Sequence, residues 1–322
     1  MRPVAERYAN FDLFRLLLAT EVAFVHVWFT VNPNFVWNPY VMAVPAFLAI
    51  SGFLVLKSLL ESGSLFEFFG KRILRVMPAL LFSFFLCLAL FDWSMAWNSI
   101  LNWATGGLYT LPMRANGPLW SLLWEEIAYI GLALLWSVGA YRHPTAIWAL
   151  LLVAIGIAWA NSGLDPHARM LLFLPVAFLV GNLMYIHREP LMRINPLVPL
   201  VAIYVMIQWR YVPDAKSMGG VNLLLVQAFA VVWAGIAGAK LLPWRIPDIS
   251  YGVYIYHWPV LAFLSDRFQI TSLSGLLFWT AMILVPLCIF SWYAIERPAL
   301  TMKRHLSTFG RYFSRDGAAP AE

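Results

Sequence analysis

Arg15 and His26 stand eleven residues apart in the first apolar segment, Phe11-Asp-Leu-Phe-Arg-Leu-Leu-Leu-Ala-Thr-Glu-Val-Ala-Phe-Val-His26. Eleven residues make about three α-helical turns, so the two share a face, and Asp12 lies about a quarter turn from it. A neutral imidazole can take a proton from a hydroxyl near neutral pH, which is general-base chemistry. An ionisable group inside a membrane span costs a few kcal/mol or more, so three along one stripe point to a polar path or a reaction centre. The competing account is a buried histidine bonded to a neighbouring helix; the company of Asp12 and Arg15 weighs against it. Glu21 points roughly 140° away from His26 and receives no role.

Three further constellations carry chemistry. In Lys71-Arg72-Ile-Leu-Arg75-Val-Met-Pro78, the pairs Arg72/Arg75 and Lys71/Arg75 fall at i,i+3 and i,i+4, so all three cations can face one ligand. Guanidinium groups grip phosphates bidentately, which suits a phosphorylated donor such as a coenzyme A thioester. Anchoring to anionic headgroups explains the same run, and taken alone it is the heavier account. In Gly117-Pro-Leu-Trp120-Ser-Leu-Leu-Trp-Glu125-Glu126-Ile-Ala-Tyr129, residues Ser121, Glu125 and Tyr129 share a face and Glu126 lies beside it. Glu125 could orient His26 or bind a hydroxylated acceptor, and Trp120 could lie against a sugar or at the lipid interface. In Ile249-Ser-Tyr-Gly-Val-Tyr254-Ile-Tyr-His257-Trp-Pro259, residues Ser250, Tyr254 and His257 form one stripe. There His257 either lines a cavity or satisfies backbone groups freed by Pro259, and the spacing does not decide between them.

The elements that must position these residues are membrane helices. The chain is 61% hydrophobic and 12% charged, with mean hydropathy +0.73, against about 25% charged in a soluble domain. Apolar stretches long enough to span a bilayer recur throughout, at 11–30, 40–60, 76–93, 118–138, 145–161, 168–187, 196–211, 221–241, 249–267 and 275–295. The expectation is an all-α integral membrane protein, a bundle of about ten transmembrane helices. Residues 1–305 form one membrane domain and 306–322 a loose cytoplasmic tail. The first stretch carries Asp12, Arg15, Glu21 and His26 and is read as a retained helix, not a cleaved leader. Basic residues favour one side by about three to one, which places both termini in the cytoplasm. The net charge of +6 then reflects basic loops facing anionic lipid, not nucleic acid. Cys87 and Cys288 sit in apolar runs and suggest neither a disulfide framework nor a metal site.

Taken together, the segments resemble the acyltransferase-3 family of membrane O-acyltransferases over nearly the whole chain. Asp12, Arg15 and His26 match its first helix, Val44-Pro45 with Ser51-Gly-Phe53 its second, and Arg72-x-x-Arg75 with Pro78 its Arg-x-x-Arg motif. Pro118-Leu-Trp-Ser121 with Glu125 and Tyr129 is similar to its Trp-Ser-Leu-x-x-Glu segment. Ser250-Tyr251, Tyr254 and His257-Trp-Pro259 match its late helix, and Glu296-Arg-Pro298 its closing motif. Leu13, Glu21 and Ile127-Ala128 depart from the common pattern and bear on the acceptor more than on the reaction class.

The resemblance implies transfer of an acyl group, acetyl first among them, from cytoplasmic acyl-CoA to a hydroxyl of a cell-surface or exported carbohydrate. It implies a standalone member, without an SGNH domain, in a bacterial cytoplasmic membrane. His26 would be the base or would carry the acyl group itself. Arg15, Asp12 and Glu125 would complete the catalytic set, and Arg72, Arg75 and Lys71 would hold the donor. Trp120, Glu126, Tyr129, Tyr254 and His257 would line the acceptor site, and no metal is expected. The physical alternatives are a transporter or flippase of an acylated or sugar-lipid substrate, and a non-catalytic membrane subunit.

Overall fold

The computed structural model describes residue 8, residues 10–33, 43–108, 116–164, 166–195, 220–237 and 247–303, and the single residues 198, 201, 204, 205 and 306. The candidate span at 196–211 and the tail 306–322 lie largely outside the described residues. The described elements are helical throughout: α1 (Asn10–Val31), α2 (Ala43–Leu60), α3 (Leu65–Leu90), α4 (Trp93–Ala104), α5 (Trp120–Ser137), α6 (Pro144–Ala160), α7 (Pro166–Ile186), α8 (Arg188–Leu191), α9 (Val221–Ala237), α10 (Ser250–Phe268), α11 (Leu273–Ser291) and α12 (Arg297–Thr301). Among the described residues, six stretches are long and apolar enough to cross a membrane: α1, α2, α3, Gly117–Ser137, Ala168–Ile186 and Leu273–Thr301. The helices α6 and α9 are apolar but shorter. Their outer faces suit hydrocarbon. The helix α11 alone exposes Phe278, Trp279, Met282, Ile283, Val285, Ile289 and Phe290, a patch that would drive association in water and is the natural exterior in lipid.

Local chemistry explains where the helices start. Ser64 accepts a hydrogen bond from the Glu67 N–H at 3.1 Å, and Glu67 Oε2 accepts from the Gly63 N–H at 2.9 Å. This near-reciprocal cap begins α3 at Leu65, well before the apolar run predicted from residue 76. Asp92 caps α4 by accepting from the Met95 N–H at 2.8 Å. The short α4 was not among the predicted elements.

The chain divides into two compact units. The first comprises Met1–Leu18, Asn38–Lys57 and Ile127–Ile246. In it α2 and α7 touch backbone to backbone. A methyl group added at Gly52 would strike the Phe178 carbonyl, and one at Gly181 the Ala49 carbonyl. Small residues let membrane helices approach this closely and supply packing where lipid offers no hydrophobic drive. Gly235 likewise lies under the Phe11 ring. Asp12 and Arg15, half-buried on α1, belong to this unit, as does Tyr129, whose hydroxyl accepts from Ser51 at 3.5 Å.

The second unit comprises Ala19–Trp37, Ser58–Glu126 and Pro247–Glu322. Its α1, α10 and α11 segments share an apolar cluster of Val27, Val260, Leu261, Leu264 and Leu276. The helices α10 and α3 are tied by Tyr251, which donates to the Val76 carbonyl at 3.2 Å. Helix α11 passes into a π-helical turn, Trp292–Glu296, before α12.

Candidate active site

The second unit holds most of the residues singled out in the sequence. His26 and Val27 of α1 meet α10. His26 Nδ1 lies 2.8 Å from His257 Nε2. The rings are 6° from parallel with centroids 5.1 Å apart, so they meet edge on, in a common plane. Trp258 packs perpendicular to His26 at 4.9 Å, and Gly117 leaves room for that indole. His26 is half-buried and His257 fully buried.

The proline inside α10 shows what His257 does locally. Pro259 has no N–H, so the Ile255 carbonyl four residues earlier loses its helical donor. Asn116 supplies it, donating from Nδ2 at 2.7 Å and also to Ser83 Oγ at 2.9 Å. The ring of His257 serves a different carbonyl, with Nδ1 3.0 Å from Val253 O. The group freed by proline is thus met by asparagine, and the histidine is left to meet His26.

One turn down α10, the Tyr254 hydroxyl lies 2.7 Å from Ser121 Oγ and 3.2 Å from the Pro118 carbonyl. These contacts pin the start of α5 to α10. Glu125 follows one turn along α5, in electrostatic range of Tyr251 and Tyr254. Among the described residues it is His257, not Glu125, that bonds the His26 ring. Glu126 lies near Glu125 and the Trp103 indole. Trp120 is half-buried at the first position of α5.

The cations gather at the start of α3. Arg75 Nη2 bonds Asp248 Oδ2 at 2.7 Å, and its guanidinium lies over the Tyr251 ring at 5.6 Å. Asp248 also accepts from Ser250 Oγ at 2.7 Å, so the acid is held by the first residue of α10. Arg72 donates to Ser58 Oγ at 3.1 Å. Lys71 pairs with the capping Glu67 at 2.8 Å and donates to Ser62 Oγ at 3.0 Å, so its ammonium is already part of the α3 cap. Lys303, just beyond α12, faces Arg72, Arg75 and Lys71. Burial first, then those three cations, push its amine down to about 7, while Asp248 opposes the shift. Seven residues of α10 separate Ser250 from His257, a rise of about 10 Å. One rigid helix therefore carries the Arg75 contact at one end and the His26 contact two turns on.

Among the described residues no group of three or more His, Cys, Asp or Glu is arranged to hold a metal ion. Both cysteines are buried and free.

The acyltransferase domain model of the acyltransferase-3 family matches residues 8–296. The chain belongs to the acyltransferase-3 family. It is also similar to Nodulation protein 10 of Rhizobium leguminosarum bv. viciae, with 27% identity over 356 aligned positions that cover 92% of this chain and 94% of that protein. No solved structure matches significantly. An integral membrane acyltransferase is therefore what the apolar helices and the family together establish.

In this acyltransferase the site also uses Asp248 and Asn116, which no motif in the sequence singles out. Asp248 is the one acid between Asp214 and Asp266, and it directly precedes the Ser250 stripe, which was its available signal. Asn116, next to Gly117, reads as a turn residue, and nothing in its type announces a helix partner 139 residues away. Trp258 stands in the sequence only as the middle of His257-Trp-Pro259. Glu296 is buried at the end of the π-turn, accepting from Ser291 Oγ at 3.1 Å, and Ser291 in turn meets the Tyr256 hydroxyl at 2.7 Å.

Proposed function

We propose that this acyltransferase moves an acyl group, acetyl first among them, from cytoplasmic acyl-CoA to a hydroxyl of a cell-surface or exported carbohydrate. The reading includes a bundle of about ten membrane helices with both termini in the cytoplasm, in a bacterial inner membrane. His26 removes the proton of the acceptor hydroxyl as that oxygen attacks the thioester carbonyl. Arg72 and Arg75, with Lys71, engage the donor phosphates. A guanidinium carries five N–H donors in a fixed fork, and a carboxylate on one nitrogen sets the plane of that fork. Arg15, with Asp12 on the same helix, binds the donor or meets charge that develops at the carbonyl. Glu125, with Trp120, Glu126, Tyr129 and Tyr254, recognises the acceptor.

The observation that carries this reading is the spacing into α10, where Asp248, bonded to Arg75, precedes His257, bonded to His26, by nine residues. A donor whose phosphates lie apart from its thioester needs cations in one place and a base in another, and the two pairs offer both. The test uses purified protein in detergent with acetyl-CoA and surface glycan extracted from the producing cell. Free thiol should appear, and the glycan should gain one acetyl unit. His26→Ala should abolish both while membrane insertion and abundance stay normal. Glycan that crosses a vesicle wall chemically unchanged would identify a transporter instead.

A further inference from the structure

The hydrogen-bond chain through α10 fixes which nitrogen of His26 is basic, and it does so by elimination. The Val253 carbonyl can only accept, so His257 Nδ1, 3.0 Å away, carries a proton. A neutral imidazole protonated there presents a lone pair at Nε2. That nitrogen lies 2.8 Å from His26 Nδ1, and two lone pairs do not share such a contact, so His26 Nδ1 carries the second proton. The rings are 6° from parallel, and both the N–H and the lone pair lie in the ring plane, so this is a straight N–H···N bond. His26 is then left with its lone pair on Nε2. Trp258, perpendicular to the ring at 4.9 Å, restrains its rotation.

We propose that His257 is a positioning residue that holds His26 as the Nδ1–H tautomer, so that Nε2 receives the proton of the acceptor hydroxyl. The proposal rests on the acyltransferase reading above and adds the partner and the atom. As the acceptor oxygen bonds to the acyl carbon, its proton passes to His26 Nε2. The resulting imidazolium donates from Nδ1 to His257 Nε2, which in turn is anchored through Nδ1–H to the Val253 carbonyl. The carbon–sulfur bond breaks, and the thiolate takes the proton back from Nε2, which leaves free coenzyme A, the ester and a neutral His26. A second histidine in this place does what a carboxylate does in other base pairs, and it does so without burying a charge in the membrane.

Two measurements test it. In 15N-histidine spectra of the purified protein in lipid nanodiscs, with His26 and His257 assigned from His26→Gln and His257→Gln, His26 should show a protonated Nδ1 and a bare Nε2. The reverse tautomer overturns the proposal. In thiol release from acetyl-CoA with extracted surface glycan, His257→Ala should lower kcat at least tenfold while the acceptor KM stays within about twofold. His257→Gln, whose amide oxygen can accept from His26 Nδ1, should recover a substantial part of the loss. A wild-type kcat in His257→Ala, or equal losses in Ala and Gln variants of normal thermal stability, overturns the positioning role. If wild-type protein releases no thiol at all, the acyltransferase reading fails, and the spectra still decide the proton positions.

Discussion

If the cations of α3 hold the donor as proposed, substitutions can separate what each contributes. Arg75 is held between Asp248 and the Tyr251 ring, a planar arrangement that lysine cannot reproduce. Arg75→Lys keeps the charge and loses the fork, so the donor KM should rise about tenfold, the equivalent of about 1.4 kcal/mol, with kcat little changed. Steady-state kinetics with varied acetyl-CoA checks this. Lys303 gives the pH signature. Its amine sits at about 7 because of burial and the cations opposite, so it is charged below that pH and neutral above it. Donor affinity should therefore weaken as pH rises from 6 to 8 (about one unit either side of that value). The donor's own terminal phosphate, with a second pKa near 6, gains negative charge over the same range and would strengthen binding, so a weakening is diagnostic. Lys303→Arg stays charged and should flatten the profile, while Lys303→Met should bind poorly throughout. The types of these residues were legible in the sequence, and Lys71, Arg72 and Arg75 were found by spacing. Their partners were not: His26 meets His257 across 231 residues and Arg75 meets Asp248 across 173, and no local pattern encodes such pairs.

At the scale of elements, hydropathy located the apolar part of most described helices and little else. Nine of the ten predicted spans correspond to described helices, but α3 starts at Leu65 because a polar cap, not a change in hydropathy, begins it. The Ser64-x-x-Glu67 signature is readable in the sequence, and so is Asp92 before the twelve-residue α4. What periodicity does not reveal is which glycines touch another backbone. Gly181 and Gly156 both lie in apolar helices, yet a methyl at Gly181 meets the Ala49 carbonyl and one at Gly156 meets nothing within 4 Å. Gly181→Ala should destabilise by about 1–3 kcal/mol, because two backbones must move apart. Gly156→Ala should be neutral or raise stability by roughly 0.5–1 kcal/mol through helix propensity. Thermal unfolding in one detergent should order the proteins as Gly156→Ala, wild type and Gly181→Ala, from most to least stable. An equal loss in both variants would mean that α2 and α7 do not pack through Gly181.

At the scale of the whole molecule, the proposed chemistry depends on which side of the membrane each end of α3 faces. On the proposed orientation, drawn from the excess of Lys and Arg in alternate loops, the α2–α3 turn faces the cytoplasm and the α6–α7 turn the outside. Gly63 lies in the first turn and Gly163 in the second, and both are exposed. Around Gly163 there is open space, and at Gly63 the nearest atom to an added methyl is Glu67 Oε2 at 3.4 Å, an ordinary contact. Single cysteines are therefore tolerable at both, and the native Cys87 and Cys288 are buried and give a quiet background. An impermeant maleimide should label Gly163→Cys in intact spheroplasts and Gly63→Cys only after the membrane is opened. Gly63 precedes Lys71, Arg72 and Arg75 by two to three helical turns at the same end of α3. Labelling of Gly63→Cys from outside would place those cations away from the cytosol, where coenzyme A thioesters are made. A cytoplasmic donor could then not reach them, and the guanidinium groups would have to serve an external anion or the lipid headgroups.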